Sequence, residues 1–220
     1  MRPYILGITG ASGAIYSVRL LEVLLRTGCE VHLSISESGR AVLKQELDIE
    51  VDLKKFDPLS LVTPLHAEGL EGKLLQDVCR SLPEVLSNAA GRLHYHHSQD
   101  FMAPIASGSF LSGGMVICPC SGTTLSAIAH AAASNLIQRA AEVQLKERRK
   151  LIVVPRETPL SSLQLENMHR LSQAGVVVLP ASPGWYHGVR SLADLVDFVV
   201  ARICDQLEVE HKMIRRWGSD

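Results

Sequence analysis

Residues 135–159, reading NLIQRAAEVQLKERRKLIVVPRETP, concentrate groups able to bind an anion and move a proton. Strong helix formers open the stretch, so Arg139 and Lys146 fall on one stripe of a helix, two turns apart. Arg156 and Glu157 follow directly on the apolar run 151–154, in a segment closed by Pro155 and Pro159. A glutamate pinned between prolines and near several cations suits an acid or a base. The same charges also fit a solvated helix face, with Glu157 as a cap partner.

Two further segments offer backbone N–H groups and hydroxyls to an anion. Residues 7–13, GITGASG, are spaced G-x-x-G-x-x-G, which departs from the dinucleotide pattern, and no Lys-Ser/Thr pair marks a P-loop. Gly10, Ala11 and Ser12 would therefore present a phosphate of a mononucleotide to the positive end of the following helix. Ser121, Gly122, Thr123 and Thr124 repeat that logic later in the chain. Ser36 closes a second apolar run, where its hydroxyl could reach a ribityl chain or cap the next helix. His94, His96 and His97 carry ligating nitrogens, but no carboxylate stands at matching spacing, so no metal site is assigned to them. Cys118 and Cys120 are too close for a zinc knuckle and read as packing residues.

The elements that must position these residues alternate between strand and helix. Strands are expected at 3–8, 31–36, 115–118, 151–154 and 176–179. Helices are expected at 14–26, through 40–44, from 125, after 135 and at 192–207, the last carrying Arg202. Between 51 and 99 the signal weakens, which reads as a variable surface excursion with one or two short helices. Every expected strand runs into a segment rich in Gly, Ser, Thr, Arg, Glu or Tyr, and in a parallel sheet those segments share one edge. The expected fold is thus a single α/β domain over 1–220, a doubly wound (Rossmann/flavodoxin-like) parallel sheet flanked by helices, binding a flat phosphorylated cofactor.

Composition narrows the class. With 220 residues, 46% hydrophobic and 20% charged, the chain suits one globular core. A net charge of −1 gives no reason to expect nucleic acid, and no apolar run suggests a membrane span. The odd count of five cysteines and the lack of a signal-peptide pattern fit a cytoplasmic protein.

An ordered set of motifs then carries a resemblance. TGASGAIY at 9–16, CPCS at 118–121, NLIQRAA at 135–141, LKERR at 145–149, VPRETP at 154–159, LENM at 165–168 and DLVDFVV at 194–200 together resemble the UbiX-type flavin prenyltransferases. Only 51–99 lacks an anchor. The resemblance implies joining of the dimethylallyl group of dimethylallyl phosphate to N5 and C6 of reduced FMN. The product, prenylated FMN, would serve a UbiD-type decarboxylase. It also implies a reaction without metal and a homo-oligomer, as a dodecamer.

Carried over by position, Gly10, Ala11, Ser12, Ser36, Ser121, Gly122, Thr123, Thr124 and Arg156 would hold FMN, while Arg139, Lys146, Tyr186 and Arg202 would grip the allylic phosphate. Glu157 would shuttle the proton, with Glu46 and Ser12 steering protons near N5. Phe101, Trp185 and Trp217 would wall the prenyl group. Ser17, Glu142 and Phe101 depart from the family pattern, and none of these departures removes a residue given a phosphate or proton role. The related cysteine decarboxylases rely on a His on the first helix, where this chain has Tyr16 and Arg19. A non-catalytic FMN-binding subunit is the other alternative.

Overall fold

The computed structural model describes residues 2–66, 70–186 and 188–215, apart from the side chains of 63–66 and 70–72. Short apolar runs rich in β-branched residues form the strands β1 (Tyr4–Ile8), β2 (Val31–Ile35), β3 (Leu93–Tyr95), β4 (Gly114–Cys120), β5 (Leu151–Pro155) and β6 (Val177–Val178). They make one parallel sheet in the order β3-β2-β1-β4-β5-β6. The doubly wound sheet expected from the sequence is present. Its strand order reverses between β1 and β4, so a crevice opens outside their carboxyl ends.

Helices α1 (Ala14–Arg26), α2 (Glu37–Leu47), α3 (Leu70–Val78), α4 (Leu82–Ser87), α5 (Gly122–Ala129), α6 (Leu136–Lys146), α7 (Ser162–Gln173) and α8 (Leu192–Leu207) cover the sheet. On one face Leu20, Leu24, Val200 and Ile203 pack on Leu6, Val31 and Leu33; on the other Ile137, Ala140 and Leu171 pack with Ile5, Met115 and Ile117. A buried ionic network links α1 to its neighbours. Arg19 pairs with Asp197 of α8 at 2.7 Å and with Glu22 at 2.8 Å, and Glu22 also accepts from the Ser81 N–H at 3.0 Å. Every charge there has a partner, which is the condition for burying it.

The sheet has six strands rather than the expected five. β3 lies within the segment read as a surface excursion, too short and too polar on one face for its own periodicity to reveal it. That segment also sends Leu61, Leu75, Cys79 and Leu82 into the core. All five cysteines are free and buried, and burial pushes the Cys120 thiol up to about 12, so packing is their role. Among the described residues no helix is long and apolar enough to cross a membrane.

Candidate functional site

The ends of β1 and β4 are tied together by one side chain. Thr9 donates its hydroxyl to the Pro119 carbonyl at 2.8 Å and accepts from the Ser121 N–H at 2.9 Å. This fixes the spacing of the two loops that flank the crevice. At Gly10 a Cβ would overlap Ser38 at the start of α2, so the first loop lies against α2 only because the residue is glycine. Gly13 then takes φ 106°, a left-handed conformation, and starts α1. Ala11 is buried and Ser12 half-buried on the rim between them.

Glu46 alters the sequence reading of this loop. Its carboxylate accepts from the N–H groups of Gly13 at 2.9 Å and Ala14 at 2.8 Å. The anion at the start of α1 is therefore supplied by the protein, where the sequence suggested a ligand phosphate. Across the crevice, Ser36 caps α2 by accepting from the Gly39 N–H at 3.0 Å, and Ser121 caps α5 by accepting from the Thr124 N–H at 3.3 Å. The Ser121 hydroxyl also donates to the Thr124 hydroxyl at 3.0 Å. A helix start has four N–H groups without intrahelical partners, so the α5 start, with Gly122 and the exposed Thr123, keeps anion-binding capacity.

Arg156 emerges from the end of β5 beside these loops. Among the described buried side-chain polar atoms, Arg156 Nε and Ser34 Oγ have no protein partner. A buried donor left unpaired costs about 1–3 kcal/mol, so an acceptor supplied by a ligand suits this position. The next residue, Glu157, is exposed and receives a hydrogen bond from Gln164 Nε2 at 3.4 Å. Gln164 is also 3.3 Å from where a Cβ on Gly122 would lie, so it joins the Glu157 segment to the start of α5. Sequence reasoning passed over Gln164. Its signal was the Ser-x-x-Gln spacing from Ser161, which forms a capping box at the start of α7.

Of the four residues given to the phosphate, Lys146 and Arg202 lie apart from this group. Arg139 lies in the first turn of α6 and Lys146 is its last residue, roughly 10 Å further along the axis. Lys146 pairs with Glu147 beside Gly108, in the loop that leads into the start of β4. Arg139 faces Glu142 at 3.6 Å, and Arg202 pairs with Asp205 at 2.7 Å. The end of α8 receives Tyr4 and Lys150, the residues that start β1 and precede β5, so Arg202 sits toward the amino edge of the sheet. Tyr186 is exposed, with its ring edge-on to Phe198 at 5.7 Å. Phe101 and Trp185 are exposed as well, and Trp217 lies outside the described residues.

A family model described as Flavoprotein matches residues 1–204. The chain is 44% identical to the flavin prenyltransferase UbiX of Halalkalibacterium halodurans, over 99% of this chain and 94% of that protein. It superposes on the crystal structure of AnUbiX in complex with FMN and dimethylallyl pyrophosphate with a TM-score of 0.79 at 33% identity, covering 99% of this chain and 98% of that one. A dodecameric FMN-dependent UbiX-like decarboxylase from Escherichia coli O157:H7 gives a TM-score of 0.78 at 35% identity, covering 99% and 100%. The order of strands, the crevice at their reversal and a match along the whole length agree, and the chain belongs to the UbiX flavin prenyltransferases of the Flavoprotein family.

Proposed function

We propose that the chain transfers the dimethylallyl group of dimethylallyl phosphate to reduced FMN, in a site at the crevice between β1 and β4 that is completed by neighbouring copies of the chain. The whole-length match to flavin prenyltransferases carries the reaction, and the orphaned Arg156 Nε supports its place in the fold. Reduced FMN supplies N5 and C6 as the two atoms that receive the five-carbon group. Arg156, Ser36 and the loops 10–12 and 121–124 hold it, with Arg156 Nε and the N–H groups at the start of α5 as donors.

Arg139, Lys146, Tyr186 and Arg202 hold the donor phosphate. As the allylic C–O bond breaks, charge grows on the phosphate oxygens, and fixed cations and a phenol aimed there lower the barrier. Arg binds such an oxyanion through a planar fork and Lys as a point charge. Glu157 moves a proton between the position of ring closure and the departing phosphate. Ser12 faces the same crevice, and Glu46 sets the shape of the loop that carries it. Phe101 and Trp185 shelter the prenyl group.

Within one chain Lys146 and Arg202 lie toward the amino edge, away from Glu157, so a shared site needs more than one copy. The exposed Phe101, Met102, Leu111, Trp185 and Leu192 offer apolar surface for that association. We infer a dodecamer, as in the E. coli neighbour. The five free cysteines fit a cytoplasmic setting, with a UbiD-type decarboxylase as recipient of prenylated FMN. Anaerobic incubation with reduced FMN and dimethylallyl phosphate, read by mass spectrometry of the released flavin, tests the proposal. A gain of one prenyl unit that depends on the protein is expected; unmodified FMN from protein that binds it would overturn the assignment.

A further inference from the structure

Strand register assembles a second constellation at the opposite end of β2. Glu30 precedes β2 and His32 lies within it, two residues apart, so both side chains project to one face. β3 pairs in parallel with His94 opposite His32, which brings His94 and His96 onto that same face. Val31 and Leu33 turn the other way, into the core. Glu30 Oε1 stands 3.3 Å from His32 Nε2 and 3.1 Å from His94 Nε2. The ligating atoms of the three residues all lie within 4.8 Å of one another.

The two spacings from Glu30 match the edges of a metal tetrahedron. Bonds of about 2.0–2.1 Å at tetrahedral angles place neighbouring ligand atoms about 3.3 Å apart. The outer contacts also fit. His32 Nδ1 meets His96 Nε2 at 2.8 Å, so the nitrogen turned away from Glu30 is held by a hydrogen bond, and the Phe110 ring packs edge-on against His32 at 4.7 Å. A ligating histidine is normally anchored through its second ring nitrogen in this way. When Nδ1–H of His32 donates to His96, Nε2 turns a lone pair toward the Glu30 carboxylate, an arrangement that a cation between them stabilises. His32 is buried while His94 and Glu30 remain partly open, which gives a rigid floor and a path for entry.

We propose that Glu30, His32 and His94 bind a divalent cation of the zinc class, with a water at the fourth position, in a site separate from the flavin crevice. The two imidazoles are borderline donors, and with one carboxylate they form a set that favours zinc, cobalt or nickel over magnesium or calcium. The ion would clasp the edge strand β3, three residues long, to β2.

The test uses tag-free protein stripped with a chelator. Zinc is titrated by calorimetry, and cobalt(II) is titrated in parallel by visible absorption. One equivalent is expected, with the intense d–d bands of a tetrahedral cobalt site and a raised Tm. His94→Ala and Glu30→Gln should lose stoichiometric uptake while still binding FMN, and His96→Phe should weaken it about 10–100-fold. FMN binding and circular dichroism confirm that each variant is folded, and His94→Gln replaces the alanine variant if that one does not fold. Absence of uptake by the unaltered protein, or equal uptake by His94→Ala and Glu30→Gln, would overturn the proposal.

Discussion

Gln164 holds Glu157 against the start of α5: its Nε2 donates to Glu157 Oε2 at 3.4 Å while its Oε1 accepts from the Ser161 N–H at 2.9 Å. The capping box of α7 thereby orients Glu157, to which we assign the proton transfer. Glu157→Gln should leave flavin affinity unchanged and lower kcat about 10²–10⁴-fold, the usual span for losing an acid–base group. Gln164→Leu should lower kcat about 10-fold, the loss expected for one hydrogen bond to a charged group, with KM for the donor nearly constant. Steady-state kinetics on both variants decide it; a full-rate Glu157→Gln enzyme removes Glu157 from the reaction.

Arg156 should behave in opposite ways with and without flavin. Its buried Nε has no protein partner, so replacing it with leucine removes an unmet donor and should leave the flavin-free protein as stable or more so. The same change should weaken FMN binding about 10–100-fold, through loss of a charge-assisted hydrogen bond. Thermal unfolding of both forms, with fluorescence titration of FMN, separates the effects. A variant that is destabilised without flavin yet binds it normally would make Arg156 a structural residue.

Glu46 bonds two N–H groups at the start of α1 and so has a structural duty whatever it does in the reaction. Glu46→Ala should cost about 2 kcal/mol in urea unfolding, because two donors and the helix end lose their anion. Glu46→Gln keeps an acceptor and should recover much of that loss. If Glu46→Gln is stable yet loses kcat, the carboxylate also handles a proton.

Much of the fold was legible because it rests on local patterns. The bounds of α1 and α8 follow from apolar spacing and from the glycine or serine before each, and both match the sequence expectation. β3 was not legible, since three half-buried residues acquire their meaning only by pairing with β2. For the same reason no sequence spacing could bring Glu30 to His94, which lies sixty-four positions later. Glu46 shows a different limit. The family resemblance gave it a proton role, whereas its contact with α1 depends on how α2 lies across the Gly10 loop.

The separation of Lys146 and Arg202 from Glu157 predicts complementation between inactive variants. Lys146→Ala and Glu157→Gln should each be nearly inactive alone. When the two are unfolded together and reassembled, a site that takes Lys146 from one copy and Glu157 from another will sometimes contain neither substitution. Partial activity should return in the mixture, in proportion to that chance. Activity no higher than the average of the two variants would place both residues in the same chain's site. Size-exclusion chromatography with light scattering checks that the mixture has reassembled.

His96 gives the protein an acid-sensitive edge. Burial, with lesser contributions from His32 and His94, lowers its pKa to about 4 against the opposing pull of Asp100. Burial also lowers His32, which is helped in the other direction by Glu30. Between pH 6.5 and about 4 the unfolded chain binds a proton at residue 96 that the folded chain refuses, so stability falls as pH falls through that window. Below about 4 the folded form takes the proton too, and this contribution stops changing. Tm measured with chelator present should therefore decline from pH 6.5 to 4 more steeply in the unaltered protein than in His96→Gln; parallel curves would mean that His96 is charged in the fold and that the β2–β3 edge is not what acid attacks.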